Sequence, residues 1–141
     1  MGNSQSINKL NFEDMQFILK TDPKYIVINT LGEHEQSCLL PKTVKAQEEV
    51  ELLSNLLKSG KKDVQIVVYG RNCNDDKAYA KYNQLISLGF YNVHLYAGGL
   101  FEWLLLQDIY GATEFPTTKK ELDILKFKPG SKFLNRQLLE Y

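Results

Sequence analysis

Residues 64–103 read VQIVVYGRNC NDDKAYAKYN QLISLGFYNV HLYAGGLFEW, and the order of signals in this stretch decides the fold class. Val64 to Tyr69 is a short apolar run rich in β-branched residues, closed at once by Gly70, the pattern of a buried strand ending in a tight turn. A polar loop, GRNCNDD, occupies residues 70–76. From about Asp75, Ala78, Tyr82, Leu85 and Ile86 recur at helical spacing until Gly89, a natural cap. Val93 to Tyr96 reads as a second strand, and Gly98 and Gly99 turn the chain into a further helix carrying Phe101, Trp103 and Leu104. Strand, loop, helix, strand, turn, helix is the signature of a parallel sheet buried on both faces. In such sheets, ligands and chemistry gather where a strand's carboxyl end meets the next helix, which here is the loop carrying Cys73 and Arg71.

Upstream, Asn11 with Asp14 three residues on forms a capping box, and Phe12, Met15, Ile18 and Leu19 make one apolar stripe over a helix from Phe12 to Lys20. Asp22 and Pro23 stop it, and YIVIN at 25–29 is a strand. The segment from Thr30 to Lys45 has no sustained period and Pro41 within it, so it should wrap the sheet as a long connection. Ala46, Val50, Leu53 and Leu57 place a helix from about Ala46 to Ser59. Beyond Trp103, Gly111 and Pro116 punctuate a loop, and the tail from Lys119 is modestly basic, with Phe133, Leu134, Leu138 and Leu139 suggesting a short closing helix.

The chain has 141 residues, 43% of them hydrophobic, enough for one domain with a proper core, and no apolar run long enough to cross a membrane. Its 17 basic and 17 acidic side chains cancel, so no global field draws it to nucleic acid. Two cysteines, Cys38 and Cys73, with no secretory signal in view, point to a reducing, cytoplasmic compartment and free thiols. The opening MGNSQS fits the N-myristoylation pattern, with Gly2 as the acceptor and Ser6 at the favoured hydroxyl position. One acyl chain gives only marginal, reversible attachment to the cytosolic face of a membrane.

The strand YIVIN, the unit IVVYGRNCNDDKAYAKYNQLISLGF and the run NVHLYAGGLFEW together resemble the rhodanese-like superfamily. The specific parts are the G-F-x-N-V step at Gly89 to Val93 and the G-G-x-x-x-W run at Gly98 to Trp103. The words YGRN, GGLFEWLLLQDIYG and FPTT are similar to rhodanese-like proteins of large DNA viruses and some protists. The resemblance implies a three-layer α/β fold, with a central parallel sheet of about five strands and helices on both faces. It divides the chain into a flexible leader at 1–10, a domain at 11–118 and a C-terminal extension at 119–141. It also implies sulfur transfer through a persulfide on a loop cysteine, from a donor such as thiosulfate.

The resemblance weakens at the chemistry. The family's nucleophile usually stands directly after the strand, where this chain has Gly70, and Cys73 falls three positions later. The first strand commonly ends in an Asp and Arg pair, where Asn29 and Leu31 stand here. A sulfur nucleophile works as thiolate, which a helix start and Arg71 favour and which Asp75 and Asp76 oppose. Two readings follow. In one, the domain is catalytically degenerate, tethered through Gly2, and recognises a protein partner through the loop rim. In the other it is a single-domain sulfurtransferase with Cys73 as carrier, and the donor anion is held by a loop of Gly70, Arg71, Asn72, Asn74, Asp75 and Asp76. Phosphatase chemistry, known in a related family of the same fold, needs an arginine at the far end of the loop from the cysteine, and Tyr79 stands there. Neither surviving reading calls for a cofactor, and His34, His94, Cys38 and Cys73 lack metal-ligand spacing.

Overall fold

The computed structural model describes residues 6–21 and 24–134. In chain order the elements are β1 (Lys9–Leu10), α1 (Phe12–Lys20), β2 (Tyr25–Asn29), α2 (Ala46–Lys58), β3 (Gln65–Tyr69), α3 (Asp76–Ser87), β4 (Val93–Tyr96) and α4 (Gly99–Tyr110). Short 3₁₀ turns lie at Glu33–Glu35 and Ile124–Phe127. The strands pair in the order β1-β4-β3-β2, every pair parallel, with Val27 opposite Val67 and Val68 opposite Leu95.

The sheet's two faces are both buried, which is why its strands read as continuous apolar runs. Side chains alternate along a strand. Val67 and Tyr69 therefore join Met15 and Ile18 of α1 and Leu100, Trp103 and Leu104 of α4 on one side. Ile66 and Val68 join Leu53 of α2 and Ala78, Tyr82 and Leu85 of α3 on the other. The chain steps from β1 across the sheet to β2 with α1 on one face, then returns through β3 to β4 with α2 and α3 on the opposite face. A right-handed crossover demands that exchange of faces when the direction of travel reverses.

The expected α/β fold is therefore present, with two corrections. The sheet has four described strands rather than about five. Beyond β2, Thr43 makes one parallel bridge to Val27, supported by Val44 N donating to Val27 O at 2.8 Å. A ladder cannot extend backward from it, because Pro41 has no N–H and Lys42 turns with φ 68°. The second correction concerns the segment read as a flexible leader. Its last residues, Lys9 and Leu10, pair with Leu95 and Tyr96 and give the open edge of β4 its partner. Asn8 continues this, its carbonyl accepting from Leu95 N at 2.8 Å and its N–H donating to the Tyr82 hydroxyl at 3.1 Å.

The capping box at α1 forms as expected, with Asp14 N donating to Asn11 Oδ1 at 2.9 Å and Asn11 N to Asp14 Oδ2 at 3.1 Å. On α2 the inward face centres on Leu53 and leaves Val50 73% exposed. The Glu49–Lys81 ion pair at 2.5 Å turns the Glu49 side of the helix toward α3 instead. Gly2 and the acylation expected there lie outside the described residues, as do Leu138 and Leu139 of the expected closing helix.

Candidate functional site

The loop between β3 and α3 lies at the carboxyl end of the sheet, where the end of β2 and the start of α4 meet it. Its path is set by what its own backbone groups bond. Leu100 N donates to Gly70 O at 2.9 Å and Phe101 N to Arg71 O at 2.8 Å, so two free amides of the α4 amino end are taken by loop carbonyls. This close docking requires glycine at 99. The residue sits at φ +69°, and a Cβ there would stand 2.8 Å from both Asn72 N and Gly70 O.

Several amides of the loop and of the first turn of α3 are taken as well. Asp75 caps α3, its Oδ1 accepting from Lys77 N at 2.9 Å, while its Oδ2 reaches back to accept from Arg71 N at 2.9 Å. The Thr30 hydroxyl at the end of β2 lies 3.3 Å from the same Oδ2 and 3.4 Å from Tyr69 O. Asn74 N donates to Asn72 Oδ1 at 2.9 Å, and Asp75 N to Asn72 O at 3.3 Å. The carboxylate of Asp75 thus bridges the Arg71 amide at the start of the loop and the Lys77 amide in the first turn of α3. It also lies against Gly70, where a Cβ would fall 2.2 Å from Asp75 Oδ2. A side chain at the position directly after β3 would require the Asp75 carboxylate and the Thr30 hydroxyl to move.

Cys73 is exposed and free, with its Sγ 3.9 Å from Asn74 Oδ1. Asn74 and Asp76 are exposed or half-exposed beside it, whereas Gly70 and Asn72 are buried. Cys38, weighed as a partner thiol, is buried in the core and donates to the Lys119 carbonyl at 3.2 Å, and burial pushes its thiol up from the ordinary range. His94 contacts Gln65 Oε1 at 3.0 Å through Nε2, and desolvation lowers its pKa.

Arg71, read as a holder of the donor anion, points elsewhere. Its guanidinium pairs with Glu35 and donates to the carbonyl of Lys126, lying 5.2 Å over the Phe127 ring. The hydrogen bond from Arg71 holds the Glu35 carboxyl below the usual carboxylate range. Asn72 donates to Phe127 O at 2.8 Å, and the Phe127 ring is 1% exposed in the core. Residues 117–128 therefore form a strap over the buried half of the loop. It is held upstream by Thr118 N donating to Leu39 O at 2.8 Å and by Trp103 Nε1 donating to Pro116 O at 2.9 Å.

Where the family's first strand carries its charged pair, Asn29 is 7% exposed and exchanges hydrogen bonds with Gln36, at 3.1 Å from Asn29 Nδ2 and 2.8 Å from Gln36 Nε2. These amides floor an open groove of about 540 Å³ between α2 and α3, walled by Glu49, Lys77 and Lys81. Sequence reading missed Thr30, Glu35, Gln36 and the strap. Only the strap had a signal, in Ile124 and Phe127 spaced three apart among lysines.

Comparison with known proteins agrees with this architecture. The family model for the rhodanese-like domain matches residues 19–106. The solution structure of a rhodanese-like domain from Anabaena sp. is 22% identical at a TM-score of 0.57, over 89% of this chain and 87% of that one. A single-domain sulfurtransferase from Saccharomyces cerevisiae is 13% identical at a TM-score of 0.53, over 77% of this chain and 98% of that one. An uncharacterized protein from Saccharomyces cerevisiae is 19% identical at 0.55, over 72% and 93%. At these identities the likeness is one of fold. No curated protein matches the chain.

Proposed function

The chain belongs to the rhodanese-like domain family, and from that premise we propose that it is a catalytically degenerate member, a binding module whose sulfur-transfer loop is filled from within. The observation that carries this reading is the Asp75 carboxylate, which accepts from Arg71 N and Lys77 N at 2.9 Å each and abuts Gly70. An anionic donor entering the loop would meet a fixed negative charge, with the loop's arginine already paired to Glu35. What remains accessible is the rim of Cys73, Asn74 and Asp76, close to the groove walled by Lys77 and Lys81. This is the surface on which the module meets a protein partner. Acylation at Gly2 would give it marginal, reversible attachment to a membrane, and no helix among the described residues is long and apolar enough to cross one.

The second reading keeps Cys73 as a persulfide carrier, and its exposed free thiol favours it. The thiolate would attack the outer sulfur of thiosulfate, the sulfur–sulfur bond would break toward sulfite, and the outer sulfur would remain on Cys73 as a persulfide. The test is mass spectrometry of the intact protein after incubation with thiosulfate, wild type against Cys73→Ser. We expect no cysteine-dependent gain of one sulfur. A gain that disappears in Cys73→Ser and is discharged by cyanide to thiocyanate overturns the degenerate reading in favour of the second.

A further inference from the structure

The outer side of the strap is used neither by the core nor by the loop. In a 3₁₀ turn, residues three apart share a face. Ile124 and Phe127 take the inward face, with Phe127 1% exposed, and Leu122 and Leu125 are left outside at 83% and 62% exposure. Phe133 and Leu134 follow at 73% and 55%. Lysines alternate with these apolar residues: 119, 120, 126, 128 and 132 stand against only Glu121 and Asp123, a net charge of +3 for residues 119–134. Lys126 pairs with Glu121 at 2.7 Å, and Lys119, Lys120 and Lys128 are exposed.

From this arrangement we infer that the strap is a docking surface for an anionic bilayer, with Leu122 and Leu125 entering the interface and the flanking lysines meeting lipid charge. Exposed leucines on a short, firmly held turn cost free energy in water, and lysines alone do not relieve that cost. A polyanion such as nucleic acid would match the lysines and leave the leucines wet. An anionic lipid surface satisfies both. The strap is also ordered in advance, because Arg71 and Asn72 hold its Lys126 and Phe127 carbonyls and Thr118 bonds Leu39. Binding therefore needs little further ordering of the chain. The inference deepens the tethered-module reading, on which it rests, by supplying the second signal that a single acyl chain needs for stable attachment.

The experiment is co-sedimentation of the full chain, with and without N-myristoylation, with phosphatidylcholine vesicles containing or lacking about a third phosphatidylserine. Two variants touch only exposed residues: Leu122→Ser with Leu125→Ser, and Lys119→Gln with Lys120→Gln and Lys128→Gln. Unmodified protein is expected to bind the phosphatidylserine vesicles in a salt-sensitive way. Each lysine lost should weaken partition roughly fivefold, the triple variant on the order of 100-fold, and the leucine pair should weaken it with no loss of thermal stability. Partition unchanged by both variants overturns the inference, even if Gly2→Ala abolishes it, because attachment then rests on the acyl chain alone. Failure of the wild type to gain an acyl group removes the tether while leaving this test standing. Tighter binding to a single-stranded oligonucleotide than to the vesicles would also overturn it.

Discussion

Replacing Asp75 tests the loop's architecture most directly. In Asp75→Ala the helix loses its cap at Lys77 N, which costs about 1 kcal/mol. The Arg71 amide loses a charged acceptor at 2.9 Å, worth about 1.5–3 kcal/mol before allowing for the residue's partial exposure. Together these come to about 2–3 kcal/mol, a large share of the roughly 5–15 kcal/mol that holds a typical domain together. Urea unfolding should show a midpoint lower by roughly 1 M, and thermal unfolding a midpoint lower by roughly 10 °C. Asp75→Asn is the sharper probe. It remains a good cap, but it has one carbonyl oxygen, so its NH₂ must face either Arg71 N–H or Lys77 N–H, donor against donor. Its cost should fall between those of alanine and wild type, at about 1–2 kcal/mol. Asp76→Ala, exposed in the first turn of α3, loses only an interaction with the helix dipole, about 0.5 kcal/mol. If Asp75→Ala costs no more than Asp76→Ala, the carboxylate does not bridge the loop, and the argument for an internally filled site falls with it.

Phe127→Ala should cost about 3–5 kcal/mol, because the ring is 1% exposed and its loss leaves a cavity beneath the Arg71 guanidinium, as chemical denaturation would record. Glu35 sets part of the acid response. Its pKa is lowered by Arg71, so the pair's stabilisation is present above the ordinary carboxylate value of 4.5 and is lost as pH falls through the depressed folded value. Glu35→Gln should accordingly flatten the dependence of stability on pH below 4.5, and an unchanged slope in urea midpoints would dissociate Glu35 from acid unfolding. Alkylation followed by peptide mass spectrometry should label Cys73 in the native protein and Cys38 only after unfolding, since one thiol is exposed and the other buried with its pKa raised.

What could be read from the chain divides by the sequence distance of the forces involved. The helix Phe12–Lys20, the strand Tyr25–Asn29 and the strand Val93–Tyr96 match the sequence reading residue for residue, because caps, breakers and apolar periods act within a few residues. That the described residues form four strands rather than about five was beyond that range. Whether Thr43 starts a ladder or makes one bridge depends on Lys42 adopting φ 68°, and nothing local demands it of a lysine. Val50 likewise falls on the helical stripe but faces outward, because the partner of the neighbouring Glu49 is Lys81, 32 residues away.

The loop shows the same division within seven residues. Asp75 as a helix cap is local and legible. Its second oxygen on Arg71 N depends on the curl of the loop, and the curl depends on Gly70 O and Arg71 O accepting from Leu100 and Phe101. Arg71 and Asn72 looked free to meet an anion because their actual partners, Lys126 O and Phe127 O, lie 55 residues on. A loop can hold a substrate anion only with donors left over from its own fold. Here the α4 amides at 100 and 101 bond loop carbonyls, the amides at 71 and 77 bond Asp75, and Arg71 and Asn72 bond the strap. Swapping a cysteine into position 70 would put its Cβ 2.2 Å from Asp75 Oδ2, so a carrier site there would first require Asp75 to release Arg71 N and Lys77 N.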